Sequence, residues 1–195
     1  MSVEGIILAA GFSSRVGRFK MTLPFGRSTV LEHTVINMHS VCDRVIVVGG
    51  YRIELIRELL NGYPYVDIVE NQDYPTGMFS SVCCGISHVK GDSFFLTPGD
   101  YPLISASVYE IMNATKGDFV VPTHLGRKGH PILIRNRLGD DILALPKDST
   151  LRDFVFSHEV TRVNVGEETI YLDIDSMEDY LRVKELRLKI NKQEE

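Results

Sequence analysis

Cysteine is too sparse to staple this chain. Cys42, Cys83 and Cys84 are the whole complement, and neither their number nor their spacing gives a disulfide framework or a metal motif. Adjacent Cys83 and Cys84 read as a buried helical pair. The six histidines include no His-x-x-x-His or Cys/His ligand spacing, which argues against zinc. No apolar run approaches the roughly 18 residues of a membrane span. The stretch Gly5–Ala10 is too short for a signal peptide and has no basic leader, so a cytoplasmic protein without a membrane partner is expected. Basic charge is also short: 21 Lys and Arg against 26 Asp and Glu leave −5, which disfavours nucleic acid as a partner. There is no Walker A ending, no Gly-x-Gly-x-x-Gly and no Gly-x-Ser-x-Gly. A P-loop, a nicotinamide or flavin site and Ser/His/Asp hydrolysis therefore have no support.

What is present is a rhythm of short apolar strands and helices, without repeats or linkers. The pattern predicts strands over Val3–Ala9, Arg44–Val48, Tyr65–Val69 and Phe94–Thr97. It predicts helices over Thr29–Met38, Glu54–Leu60 (which Gly62 would end), Met78–His88 and Ser105–Ala114. Thr29 and Glu32 have capping-box spacing. Beyond Asp118 the alternation loosens: Asp118–Val121, Pro131–Ile134, Val160–Val165 and Thr169–Ile174 read as strands of a mixed or partly antiparallel region. A helix over Ser176–Lys189 follows, and the tail Lys189–Glu195 reads as frayed. The expected fold is a three-layer α/β/α sandwich on a mostly parallel mixed sheet.

In an open parallel sheet, ligands bind beyond the carboxyl ends of the strands. There the sequence places Ala10-Gly11, Gly49-Gly50, Asn71 and Gly99-Asp100. The first loop is the most informative. From Gly5 to Leu31 there is no acid, yet Arg15, Arg18, Lys20 and Arg27 fall inside. A strand that exits through small residues into hydroxyls, a guanidinium and an ammonium suits phosphate, although a solvated basic loop would have the same composition. Asp100, at the end of an apolar strand, suits a hard cation such as Mg²⁺, or simply starts a turn before Pro102. Strand alternation would put Asp173 and Asp175 on one face, either of them able to complete the metal site; Asp175 is equally suited to cap the last helix. A second acid-free stretch, Phe119–Gly139, carries His124, Arg127, Lys128, His130, Arg135 and Arg137. Gly126 and Gly129 make it a mobile loop, a lid for an anionic acceptor. Ser80-Ser81 after Gly77 would start a helix at the acceptor's phosphate or merely cap it.

Together these residues resemble the MobA-like NTP transferase family, nearest to its molybdenum cofactor cytidylyltransferase branch. The family's opening pattern is matched by Ala9, Ala10, Gly11, Ser13, Arg15, Gly17 and Lys20, with Val16 departing at a Met position. Matches continue through Val48-Gly49-Gly50-Tyr51, Asn71, Gly77-Met78, Ser80-Ser81, Gly99-Asp100 with Pro102, Gly129-His130-Pro131, Arg152 and Leu172-Asp173-Ile174-Asp175-Ser176, nearly the whole chain.

The resemblance implies a nucleotide-diphospho-sugar transferase (GT-A-like) fold in a single domain. The NTP-binding part would span about 1–105, the acceptor-binding part about 106–175 and a C-terminal helix 176–190. It implies a Mg²⁺-dependent nucleotidyltransferase that moves CMP from CTP to the phosphate of molybdopterin and releases pyrophosphate. Arg15, Lys20 and Asp100 would be catalytic, with metal at Asp100, Asp173 and Asp175. Leu8, Ala9, Ala10, Gly11, Ser13, Arg15, Lys20, Gly49, Gly50, Asn71 and Gly99 would bind nucleotide; Ala-Ala-Gly at 9–11 goes with CTP in the family. Gly77, Ser80, Ser81, Gly129, His130, Pro131 and Arg152 would bind the acceptor. A molybdoenzyme or its chaperone is an expected partner, and a monomer or weak dimer the expected state. The alternatives are GTP as donor, a sugar or alditol phosphate as acceptor, and a non-catalytic nucleotide or cofactor carrier.

Overall fold

The computed structural model describes residues 2–13 and 15–191. In chain order the strands are β1 (Val3–Leu8), β2 (Pro24–Phe25), β3 (Ser28–Thr29), β4 (Arg44–Gly49), β5 (Val66–Glu70), β6 (Ser93–Pro98), β7 (Phe119–His124), β8 (Arg127–Lys128), β9 (Ile132–Arg135) and β10 (Thr161–Asn164). The helices are α1 (Val30–His39), α2 (Ile53–Leu60), α3 (Met78–Ile86), α4 (Ala106–Ala114), α5 (Gly139–Leu143), α6 (Leu151–Phe156) and α7 (Met177–Asn191).

One mixed sheet runs β10-β7-β9-β6-β1-β4-β5, with β8 attached to β7. The pairs β6·β1, β1·β4, β4·β5 and β7·β10 are parallel, and β9 alone runs against both of its neighbours. Its central strands alternate as strands must, but both faces are apolar. Ile7, Val45, Val47 and Phe95 face a core shared with α1, α2 and α4. Ile6, Ile46, Val48 and Phe94 face a second core with Phe79 and Val82 of α3, Ile142 of α5 and Phe154 of α6. A third cluster packs Tyr180 and Val183 of α7 on Phe25, Val30 and Ile174. This is the expected three-layer α/β sandwich.

The local signals hold where hydrogen bonds are local. Thr29 caps α1: its hydroxyl accepts from Glu32 N at 3.3 Å, and Glu32 returns the bond to Thr29 N at 2.8 Å. The expected strand over Thr169–Ile174 does not form. Glu168–Tyr171 is a 3-10 turn and the chain then runs irregularly to Asp175. Its backbone partners are loops: His130 N donates to Ile170 O at 2.7 Å and Ile174 N to Asp100 O at 3.2 Å. The expected mobile loop around Gly126 is a hairpin whose two turn residues, Leu125 (φ 48°) and Gly126 (φ 77°), are left-handed. That backbone matches the twist of the flanking strands and leaves no long loop. Lys189–Asn191 continue α7, and 192–195, the rest of the expected frayed tail, lie outside the described residues.

Phe95 is fully buried and meets Tyr109 edge-on, ring centroids 5.1 Å apart. Phe95→Ala should lower stability by about 3–5 kcal/mol, and Thr29→Ala, losing one cap, by about 1 kcal/mol. Urea titrations measure both; a loss at Phe95 no larger than at Thr29 would mean that this core does not carry the sheet.

Candidate active site

Four parallel strands, β1, β4, β5 and β6, deliver their loops to one edge. Ala9 N donates to Val48 O at 2.8 Å, Gly99 N to Leu8 O at 2.9 Å, Tyr51 N to Ala10 O at 3.2 Å and Asn71 N to Gly49 O at 2.9 Å. Leu8, Ala9 and Ala10 are buried, so the chain first meets solvent at Gly11, where an added Cβ would find nothing within 4 Å. The loop then folds back on itself. Ser13, at φ 54°, accepts the Lys20 N–H on its hydroxyl at 3.2 Å. This turns the Lys20 side chain inward towards the end of β6.

There it meets the acids. Carboxylate oxygens of Asp100, Asp173 and Asp175 lie within 4.8 Å of one another. The Lys20 ammonium donates to Asp100 Oδ2 and to Ile174 O at 3.3 Å, and stands 3.5 Å from Asp175 Oδ1. Arg15 Nη1 lies 2.8 Å from Asp175 Oδ2 at the exposed rim. Of the four cations that look uncompensated in the sequence, Lys20 and Arg15 are therefore paired, by acids 80 and 160 residues away. Asp175 does not cap α7. That role falls to Ser176 and Asp179, whose side chains exchange bonds with each other's N–H at 3.0 and 3.1 Å.

Asp100 is 4% exposed. Burial pushes its carboxyl above the ordinary carboxylate range, Lys20 pulls it back, and the charge on Asp173 adds to the upward push. Its Oδ1 is buried without a hydrogen-bond partner among the described residues. Three hard oxygen donors, one with an unsatisfied buried atom, fit a divalent cation. The Lys20 ammonium supplies part of the positive charge that such an ion would bring.

A cleft of about 960 Å³ opens beside the acids, with Asp173 in its wall. Its floor is apolar (Leu8, Val82, Leu96, Phe119, Ile132), its aromatic wall is Tyr101, His130 and Tyr171, and Arg127, Lys128, Lys147 and Arg152 line it. Of the residues expected at the acceptor, Gly77, Ser80, Gly129, His130 and Arg152 line this cleft. Ser81 is buried, and Pro131 follows a cis peptide bond. A Cβ on Gly129 would come within 2.3 Å of Ile170 O, so that glycine lets the two segments touch.

Other expected ligands are engaged by the protein itself. Asn71 donates to the Ser80 and Ser81 hydroxyls at 2.9 Å each and accepts from Asp73 N at 3.0 Å. It braces the start of α3. Glycines 49, 50 and 99 face Ile53, the Tyr74 ring and Met21 respectively, each within 3.0 Å of where a Cβ would be. Tyr101, Tyr171 and Lys147 were not singled out by sequence reasoning. For Tyr101 the one signal is adjacency to Asp100.

Such a site, a basic loop and three clustered carboxylates at the end of a parallel sheet beside an acceptor-sized cleft, defines a metal-assisted enzyme of phosphate chemistry. The comparisons narrow the class. Residues 5–163 match the MobA-like NTP transferase domain, and the chain belongs to that family of nucleotidyltransferases. It is 31% identical to the molybdenum cofactor cytidylyltransferase of Escherichia coli (strain K12), covering 94% of this chain and 96% of that one. It is 30% identical to a probable molybdenum cofactor guanylyltransferase of Bacillus anthracis over 74% of each. A crystal structure of the Mycobacterium tuberculosis Rv0371c homologue from Mycobacterium sp. strain JC1 superposes with TM-score 0.85 at 28% identity, covering 96% and 98% of the two chains.

If Lys20 holds the place of a cation, Lys20→Met should tighten Mn²⁺ binding to the nucleotide-free protein roughly tenfold while weakening NTP binding. Calorimetry reads both; unchanged Mn²⁺ affinity would remove Lys20 from the metal site. His130 gives a pH effect. Burial lowers its imidazole to about 4, against a bond to the Leu96 carbonyl. A depressed folded value means that stability present above the unfolded value, roughly 6.5, is lost as pH falls towards 4. Urea unfolding of wild type and His130→Asn across that window should show a steeper acid loss in wild type; parallel curves would contradict it.

Proposed function

We propose that this chain is a cytoplasmic cytidylyltransferase that transfers CMP from CTP to the phosphate of molybdopterin, releasing pyrophosphate. The observation that carries it is the cluster of Asp100, Asp173 and Asp175 with Lys20 and Arg15, joined to the cleft through Asp173 in its wall. The match to a molybdenum cofactor cytidylyltransferase over nearly the full length of both chains supports the donor and acceptor. A molybdoenzyme or its chaperone would take the product.

An acceptor phosphate oxygen attacks the α-phosphorus in line, and the bond to the pyrophosphate oxygen breaks. The leaving group departs with its negative charge. An ionised acceptor phosphate needs no general base, so positioning and charge neutralisation carry the rate. Arg15 and Lys20 hold the triphosphate and stabilise the departing pyrophosphate, trading Asp175 and Asp100 for phosphate oxygens. Asp100, Asp173 and Asp175 would hold Mg²⁺, which supplies charge stabilisation at the transferring phosphate. Ser13 keeps the loop closed so that Lys20 stays inward. Gly11, with open space before it, admits the nucleotide.

Asp100→Asn should reduce turnover by at least about 10³-fold with the melting temperature retained; substantial residual activity would remove Asp100 from the machinery. Donor choice is read by Mg²⁺-dependent calorimetry with CTP and GTP. Tighter CTP binding is expected. A GTP preference would keep the chemistry and change the product.

A further inference from the structure

Beside the acids, Arg15 and Lys20 each pair with a carboxylate. The cations that line the cleft, Arg127, Lys128, Lys147 and Arg152, have no ion pair among the described residues, and of these Arg127 is the one seated on an aromatic ring. It is thereby fixed in place. The turn of Leu125 and Gly126 sets the hairpin in which Arg127 stands opposite His124. Its guanidinium carbon lies 4.3 Å from the centroid of the Tyr171 ring. Tyr171 ends the 3-10 turn that is tied to His130 through the bond from His130 N to Ile170 O, 2.7 Å. Tyr171 stands two residues before Asp173, and Arg127, Tyr171, Asp173 and Tyr101 all line the one cleft. The stacking on Tyr171 thereby sets Arg127 in the wall that also carries Asp173.

The reaction has a particular need for such a group. It brings an anionic phosphate monoester against an anionic triphosphate, and like charges a few ångströms apart repel strongly in a partly desolvated site. Arg15 and Lys20 belong to the triphosphate side. A guanidinium is always charged, presents two parallel donors to a phosphate and stacks on an aromatic ring without losing either property.

We propose that Arg127, seated on Tyr171, grips the phosphate monoester of the acceptor and holds it at the carboxylate end of the cleft. This rests on the function proposed above, and adds to it the residue that reads the acceptor's reacting group. Arg127 thereby separates phosphorylated from unphosphorylated acceptors before nucleotide is transferred.

The test is binding of molybdopterin and of its dephosphorylated form to nucleotide-free protein, followed by pterin fluorescence, in wild type, Arg127→Gln and Arg127→Lys. Arg127→Gln should weaken binding of the phosphorylated form roughly 10- to 100-fold and leave the dephosphorylated form unchanged. Arg127→Lys should recover part of the loss. Melting temperature and CTP affinity should match wild type in both variants, because the side chain is exposed and stands on the β7–β8 hairpin rather than on the loop after β1. Equal losses on the two forms, or no loss on either, would overturn the proposal. If wild type binds neither form, the pterin acceptor is wrong and the proposal falls with it.

Discussion

A carboxylate at the end of a buried strand needs a positive charge beside it, and the architecture of this protein is arranged around supplying one. Asp100 stands at the mouth of β6, 4% exposed, where an unpaired anion would be strongly disfavoured. Lys20 reaches it only because Ser13 closes the basic loop after β1. Asp175 reaches Lys20 and Arg15 only because the segment before α7 is pinned to Asp100 O through Ile174 N. Three distant parts of the chain converge on one charge problem. A cation or an anion entering there would exchange partners within an existing network.

The rest of the fold keeps that convergence in register. Parallel pairing of β1 with both β4 and β6 fixes where Ala10, Gly49 and Gly99 emerge. Apolar packing on both faces of these strands makes the sheet rigid, and glycines 49, 50 and 99 let side chains of the protein itself press close behind the crevice. On the other side of the acids, the antiparallel β9 and the parallel β10 carry the sheet onward. Its surface there becomes the apolar floor of the cleft. The acid cluster and the cleft thus share one sheet, joined at Asp173 and Tyr101.

The two sides of the site differ in how charge is held. At the loop after β1 the cations Arg15 and Lys20 rest on acids, so an anion must compete for them. In the cleft Arg127 rests on the Tyr171 ring, which orients the guanidinium and leaves its charge free. That asymmetry suits a reaction in which two phosphates of like sign meet, one of them accompanied by a divalent ion.

The sequence by itself determined what depends on neighbours in the chain. The strand and helix periodicities of the first half, the Thr29 capping box and the glycine-framed basic loop all rest on local contacts, and they led to the α/β class and the family. The pattern erred at 169–174, where β-branched residues looked like a strand but their hydrogen bonds go to loops at 100 and 130. It also took the 126–129 region for a mobile loop, because glycines signal both a tight hairpin turn and flexibility. Only the tertiary structure decided that Lys20 meets Asp100 and that Arg15 meets Asp175. It alone also freed Asp175 from capping α7 and set Arg127 on Tyr171 within one cleft. Residues 80 or 160 positions apart come together through crossover connections, whose outcome no short window of sequence contains.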